Sequence, residues 1–166
     1  MTRPPSSPSL KVRAIGLLAQ REHSALELRR KLMRIALAQA EAEADTAGSD
    51  PAAQVDELLA WLQSQGYLDE ARFVESRLHA RATRHGNLRI RQELAQHGLS
   101  LTPEQQAGLK DSELGRAREI WQRKFGAPAA DAAGRAKQMR FLAGRGFSAE
   151  VIRRLLRQGG GGAEDD

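Results

Sequence analysis

The chain has 166 residues, of which 40% are apolar and 28% charged, a size and composition suited to one compact domain or a string of small helical units. Its 26 Lys and Arg outweigh 21 Asp and Glu, and the absence of cysteine excludes a disulfide scaffold, a thiolate zinc site and cysteine catalysis. The opening MTRPPSSPSLK lacks the apolar run of a signal peptide or membrane span, so a cytoplasmic protein is expected, with no membrane contact.

Apolar residues recur at helical spacing and β-branched runs are missing, which predicts an all-α fold. In chain order, helices are predicted at about 9–20, 24–38, 51–64, 69–83, 87–97, 103–109, 112–124, 131–144 and 149–158. Ser24 with Glu27 forms a capping-box pattern, and Asp50-Pro51 and Thr102-Pro103 set a capping side chain before a first-turn proline. Asp69 and Ser148 are expected to cap in the same way.

An internal repeat organises these elements. Ser24, Leu28, Leu32, Ala36 and Leu37 match Gly86, Ile90, Leu94, Gly98 and Leu99 at the same offsets, and Gly134, Gln138, Leu142, Gly146 and Phe147 fit the same frame. The offsets of four and eight place one apolar stripe on each middle helix, and Gly98 and Gly146 stand where a helix end needs a left-handed residue. Leu28, Leu32, Ile90, Leu94, Phe141, Leu142 and Phe147 are the expected core.

Three tandem three-helix repeats follow: 9–65, 66–110 and 111–158. A flexible N-terminus (1–8), an acidic insertion at about 38–50 in the first repeat, and a flexible Gly-rich acidic tail (159–166) complete the chain. The insertion is expected either to extend the second helix or to stay mobile.

Catalytic constellations are missing from the sequence. No HExxH pairs the four histidines, His23, His79, His85 and His97, each of which is expected to be solvated or capping. Gly144-Arg145-Gly146 lacks the lysine and hydroxyl of a phosphate-cradling loop. The chain is therefore read as no enzyme, with no cofactor and no metal.

Charge points to a partner instead. Lys11–Ala40 carries seven bases against two acids and Lys110–Gln158 twelve against five, whereas Glu41–Glu57 holds six acids and no base. Of the 26 cations 21 are Arg, whose forked guanidinium pairs with phosphate or carboxylate, so a polyanion or an acidic protein surface is the expected partner. About half of these arginines are expected to lie over core stripes and pair with neighbouring acids. The few aromatics, Trp61, Tyr67, Phe73, Trp121, Phe125, Phe141 and Phe147, sit mostly at core spacing and do not form a base-stacking platform.

Three segments carry a family likeness. Ala19-Gln20-Arg21-Glu22-His23-Ser24 with Glu27-Leu28-Arg29-Arg30-Lys31-Leu32 resembles the opening repeat of RecX proteins. Gly66 to Phe73 with Gly86 to Leu94 resembles their second repeat, and Gln138 to Ser148 their third. The resemblance spans about residues 10–157; the acidic insertion and the tail depart from it.

The resemblance implies an elongated, curved chain of three helical repeats that negatively regulates the RecA recombinase. Such proteins bind the RecA–DNA filament in its groove or at its end and restrain its growth, ATPase and strand exchange. The expected contacts to the filament, or to single- or double-stranded DNA directly or through it, are Arg29, Arg30, Arg34, Arg84, Arg89, Arg91, Arg140, Arg145, Arg153 and Arg154. The chain is expected to act as a monomer. A stand-alone basic nucleic-acid-binding repeat protein is the alternative reading.

Overall fold

Side-chain caps open most helices of the computed structural model, which describes residues 7–43 and 48–160. The eight helices are α1 (Leu10–Gln20), α2 (Ala25–Ala42), α3 (Pro51–Ser64), α4 (Glu70–Ala82), α5 (Asn87–Gln96), α6 (Pro103–Lys124), α7 (Ala132–Gly144) and α8 (Ala149–Gly160). No strand occurs among the described residues, so the fold is all-α. Ser24 Oγ accepts from the Glu27 amide at 3.2 Å, and Thr102 with Gln105 closes a complete capping box. Asp50, Asp69 and Ser148 each accept an amide of the first turn. The predicted flexible N-terminus and acidic tail fall largely on residues 1–6 and 161–166, outside the described residues, as does the middle of the insertion, 44–47. The start of the insertion extends α2 to Ala42.

One boundary differs from the sequence expectation. The helices expected at 103–109 and 112–124 are a single helix, α6, of 22 residues. Its buried positions Leu109, Glu113, Ala117, Ile120 and Trp121 keep one stripe running through Lys110–Asp111–Ser112, so burial continues where polar residues suggested a break. The Ser112 hydroxyl donates back to the Leu109 carbonyl instead of capping a new helix.

The chain divides into two compact units, up to Phe73 and from Val74. In the first, Ala14 of α1, Leu28, Leu32 and Ala36 of α2, and Val55, Leu59 and Leu62 of α3 form one core together with Leu68. In the second, Ala117, Ile120 and Trp121 of α6 pack with Leu142, Phe147, Ile152 and Leu155. The repeat frame is visible in what it buries: Leu28, Ile90 and Gln138 at one position, and Leu32, Leu94 and Leu142 four residues on. Gln138 is a polar residue at a core position because its Oε1 accepts from Trp121 Nε1 at 3.0 Å and its Nε2 donates to the Ala127 carbonyl. The third copy enters its helix earlier, for Asp131 caps α7 and Gly134 lies inside it, whereas Ser24 and Gly86 are themselves the caps of α2 and α5.

Gly98 and Gly146 both take the left-handed conformation, at φ 70° and 88°. Ala36 occupies the matching position in α2 and needs no such freedom, since that helix continues past it.

Two expectations are corrected. Phe141, placed in the core by sequence, is only half-buried: its ring meets Phe125 edge-on at 5.3 Å and lies beneath cations. His23, expected to be solvated or capping, is buried. Its Nε2 lies 2.9 Å from Lys31 Nζ, which can only donate, so Nδ1 carries the proton and donates to the Arg21 carbonyl at 3.0 Å. Burial lowers the His23 pKa, and the charges of Arg21 and Lys31 add to the effect.

The neighbouring carboxylate is shifted more. Burial pushes the Glu27 carboxyl up, but the Arg21 hydrogen bond and the charges of Arg21, His23 and Lys31 outweigh it and hold the pKa down to about 2. Both shifts make the folded state resist protonation. Stability should therefore be full above pH 6.5, begin to fall below it as His23 favours its charged, unfolded form, and fall again between about pH 4.5 and 2 as Glu27 protonates. The Glu27 share is expected to be about 1 to 2 kcal/mol after allowance for screening at the half-exposed Arg21. Urea unfolding at pH 7, 5 and 3 checks this, and Glu27→Gln should flatten the acid limb; an unchanged limb would assign it to other carboxylates.

Candidate polyanion-binding surface

The basic residues sort by whether an acid already answers them. Arg21 pairs with Glu27, Arg72 with Glu22 at 3.0 Å, and Arg77 and Arg81 both with Glu93 at 2.9 Å. Of the ten predicted contact residues only Arg29 is matched in this way, by Asp56 of α3 at 2.8 Å. That hydrogen bond raises the Arg29 pKa and lowers that of Asp56, although both side chains remain open to water. The other nine, Arg30, Arg34, Arg84, Arg89, Arg91, Arg140, Arg145, Arg153 and Arg154, have no acid partner among the described residues. Arg30 and Arg34 are exposed on α2 in the first unit, and the remaining seven belong to the second.

Within the second unit the structure brings these residues together in three places. Arg91 and Arg154 face one cavity of about 590 Å³ between α5, α6 and α8, whose walls include Leu88, Leu101, Leu109 and Val151 but also Asp111 and Glu150. Arg153 lines a second, more open one of about 840 Å³ between α7 and α8, with Met139, Arg135, Arg157 and Glu150. Arg84 and Arg145 line a third, of about 410 Å³, with Arg123, Lys124, Phe141, Thr83 and Ile120. No acidic residue lines this third cavity. Arg140 is exposed and lines none of the three, whereas Arg89 reaches towards the Gly144 carbonyl at 3.5 Å.

The third cavity is held in place by a tight turn. Arg145, Gly146 and Phe147 join α7 to α8, and the Gly86 amide donates to the Arg145 carbonyl at 2.7 Å while the Leu88 amide donates to that of Gly146 at 3.1 Å. Arg145 Nη1 in turn donates to the Arg84 carbonyl at 3.3 Å. The Arg145 guanidinium lies 5.2 Å and the Lys124 ammonium 5.7 Å from the Phe141 ring centroid, near enough for cation–π attraction. His85, beside this site, adds no charge: burial lowers its pKa, helped by Arg89, Arg81 and Arg145.

Sequence reasoning missed Arg123 and Lys124. Both stand in the last turn of α6, where cations complement the helix dipole. The available signal was that three predicted helix ends, near 83, 124 and 144, each carry cations. It also missed Arg116, which is half-buried and donates to the carbonyls of Ala82, His85 and Leu109 and to Asn87 Oδ1.

Among the described residues no group of three or more His, Asp or Glu could hold a metal ion, and no helix is long and apolar enough to cross a membrane.

Comparison with known proteins gives the same region a family. Residues 69–101 match the second three-helix domain of RecX, and residues 111–156 match the third. A regulatory protein RecX of Ralstonia nicotianae is 44% identical over 168 residues, covering 100% of this chain and 97% of that one. Those of Leptothrix cholodnii and Herminiimonas arsenicoxydans are 49% and 47% identical, each over 90% of this chain and 88% and 91% of their own.

Proposed function

The chain belongs to the RecX family of regulatory proteins, and from that premise we propose that it is a negative regulator of the RecA recombinase. In this reading it binds the RecA–DNA filament and inhibits filament growth, ATPase and strand exchange, acting as a cytoplasmic monomer without catalysis of its own. The observation that carries the reading is the set of seven acid-free arginines on the second unit, in the stretch that matches the second and third RecX domains. A filament presents phosphate and acidic protein side by side. Cations without internal partners gain most from both, since they give up no ion pair on binding and release counterions from the nucleic acid.

The test is the DNA-dependent ATPase of the cognate RecA on single-stranded DNA, with this protein added from far below equimolar. Inhibition at substoichiometric amounts is expected from a molecule that blocks filament ends, and inhibition proportional to occupancy from one that lies in the groove. An unchanged ATPase across the titration would overturn the proposal.

A further inference from the structure

The cavity lined by Arg84, Arg123, Lys124 and Arg145 has a charge balance that its fold does not use. Its cations come from three helix ends: Arg84 follows α4, Arg123 and Lys124 close α6, and Arg145 is the C-cap of α7. Each helix C-terminus carries about half a negative charge, so three together offset fewer than two of the four cations. The backbone takes little of the remainder, since Arg145 spends one nitrogen on the Arg84 carbonyl and Arg123 Nε reaches the Glu119 carbonyl at 3.4 Å. Between about two and three positive charges are left facing a cavity of about 410 Å³ with no acid in its lining.

We propose that this cavity binds a phosphodiester group of a nucleic-acid strand, so that the protein contacts DNA directly in addition to any protein surface of the filament. The inference rests on the RecA-regulator reading and adds to it the chemistry of one contact. Phosphate fits better than a protein carboxylate because the cations approach from several directions. A phosphodiester offers non-bridging oxygens to more than one guanidinium at once, and its neighbours along the strand extend the contact. Lys124 and Arg145 lie 5.7 and 5.2 Å from the Phe141 ring centroid, so the ring serves to hold cations beside the cavity, and phosphate contacts made there read the backbone without base preference.

The experiment compares the full chain with Arg123→Gln/Lys124→Gln and with Arg135→Gln/Lys137→Gln, which removes the same charge from exposed positions of α7 outside this cavity. Fluorescence anisotropy with labelled oligo(dT) across a salt series reads the DNA contact, RecA ATPase inhibition reads the regulator function, and circular dichroism confirms helix content. The cavity variant should bind oligo(dT) more than about tenfold more weakly, with a log–log salt slope shallower by about 0.7 for each phosphate no longer neutralised. The α7 variant should change affinity far less.

Equal losses in the two variants, or no binding of oligo(dT) by the unaltered protein, would overturn the proposal. So would a cavity variant that keeps its DNA affinity but loses ATPase inhibition, since the cavity would then take an acidic protein surface. Cavity-dependent DNA binding with no effect of the unaltered protein on RecA would instead leave the phosphate site standing and overturn the regulator reading.

Discussion

Replacing Gly146 with alanine is expected to cost about 3 to 4 kcal/mol, read as a lower urea midpoint with an unchanged slope. Two effects add at this position. Its φ of 88° is a conformation that L residues enter at a cost of about 1 to 2 kcal/mol. A Cβ there would also stand 2.4 Å from the Cβ of Arg89 and 2.7 Å from its amide nitrogen, an overlap that forces α5 and the α7–α8 turn apart. Gly98 separates the two effects, since it has φ 70° but nothing within 4 Å of its virtual Cβ, so Gly98→Ala should cost only the first. Gly86→Ala should show the second alone, because Gly86 has an ordinary φ of −81° yet its virtual Cβ meets Gly146 and Phe147 backbone atoms at 2.4 Å. Equal costs at Gly98 and Gly146 would mean that the turn moves aside freely. The Gly146 change should also shift Arg145 and weaken whatever the neighbouring cationic cavity binds.

Arg116→Met should destabilise the second unit by about 2 to 3 kcal/mol while keeping the length of the side chain. Its guanidinium closes off the end of α4 and the start of α5, donating to the Ala82, His85 and Leu109 carbonyls at 3.1, 2.8 and 3.2 Å and to Asn87 Oδ1. One turn earlier on the same helix, the buried Glu113 accepts the Asn87 amide at 3.1 Å. Burial lowers the Arg116 pKa, opposed by the charge of Glu113, so the site bears the cost of a half-buried cation and recovers it through hydrogen bonds. Methionine would leave several carbonyls without a donor and Glu113 without its countercharge. Arg116→Lys should recover only part of the loss, since one ammonium cannot span acceptors spread around a planar fork. A loss below about 1 kcal/mol for the methionine variant would show that water replaces the arginine at no cost.

The two substitutions probe features of unequal legibility. A glycine after a helical apolar run announces a left-handed cap, and Gly98 and Gly146 could be assigned to that role from spacing alone. That Gly146 also carries a close backbone approach could not, because the contact joins segments about 60 residues apart. Arg116 is harder still. Nothing in RAREIW distinguishes an arginine that ties helix ends together from Arg118, which is exposed and donates to Gln158.

Charge shows the same division. Local counts revealed the basic surplus of Lys110–Gln158 and the preference for Arg, hence the expectation of a polyanionic or acidic partner. They could not show that Arg77 and Arg81 are answered by Glu93 and Arg29 by Asp56, nor that Arg84 and Arg145 meet Arg123 and Lys124 around a cavity.

The sequence by itself determined the all-α class, the predicted capping residues, the buried positions Leu28, Leu32, Ile90, Leu94 and Leu142 and the family, because these depend on period and on short-range chemistry within a turn or two of helix. Only the tertiary structure decided that α6 runs unbroken through Lys110–Ser112, that His23 is buried and neutral, that Phe141 serves as a platform for cations, and which arginines lack an acid partner among the described residues. Each of those outcomes depends on what a second element brings within a few ångströms, and in this chain that element lies from a few residues to more than fifty away. Local propensity is blind at that separation, and burial and Coulomb attraction decide.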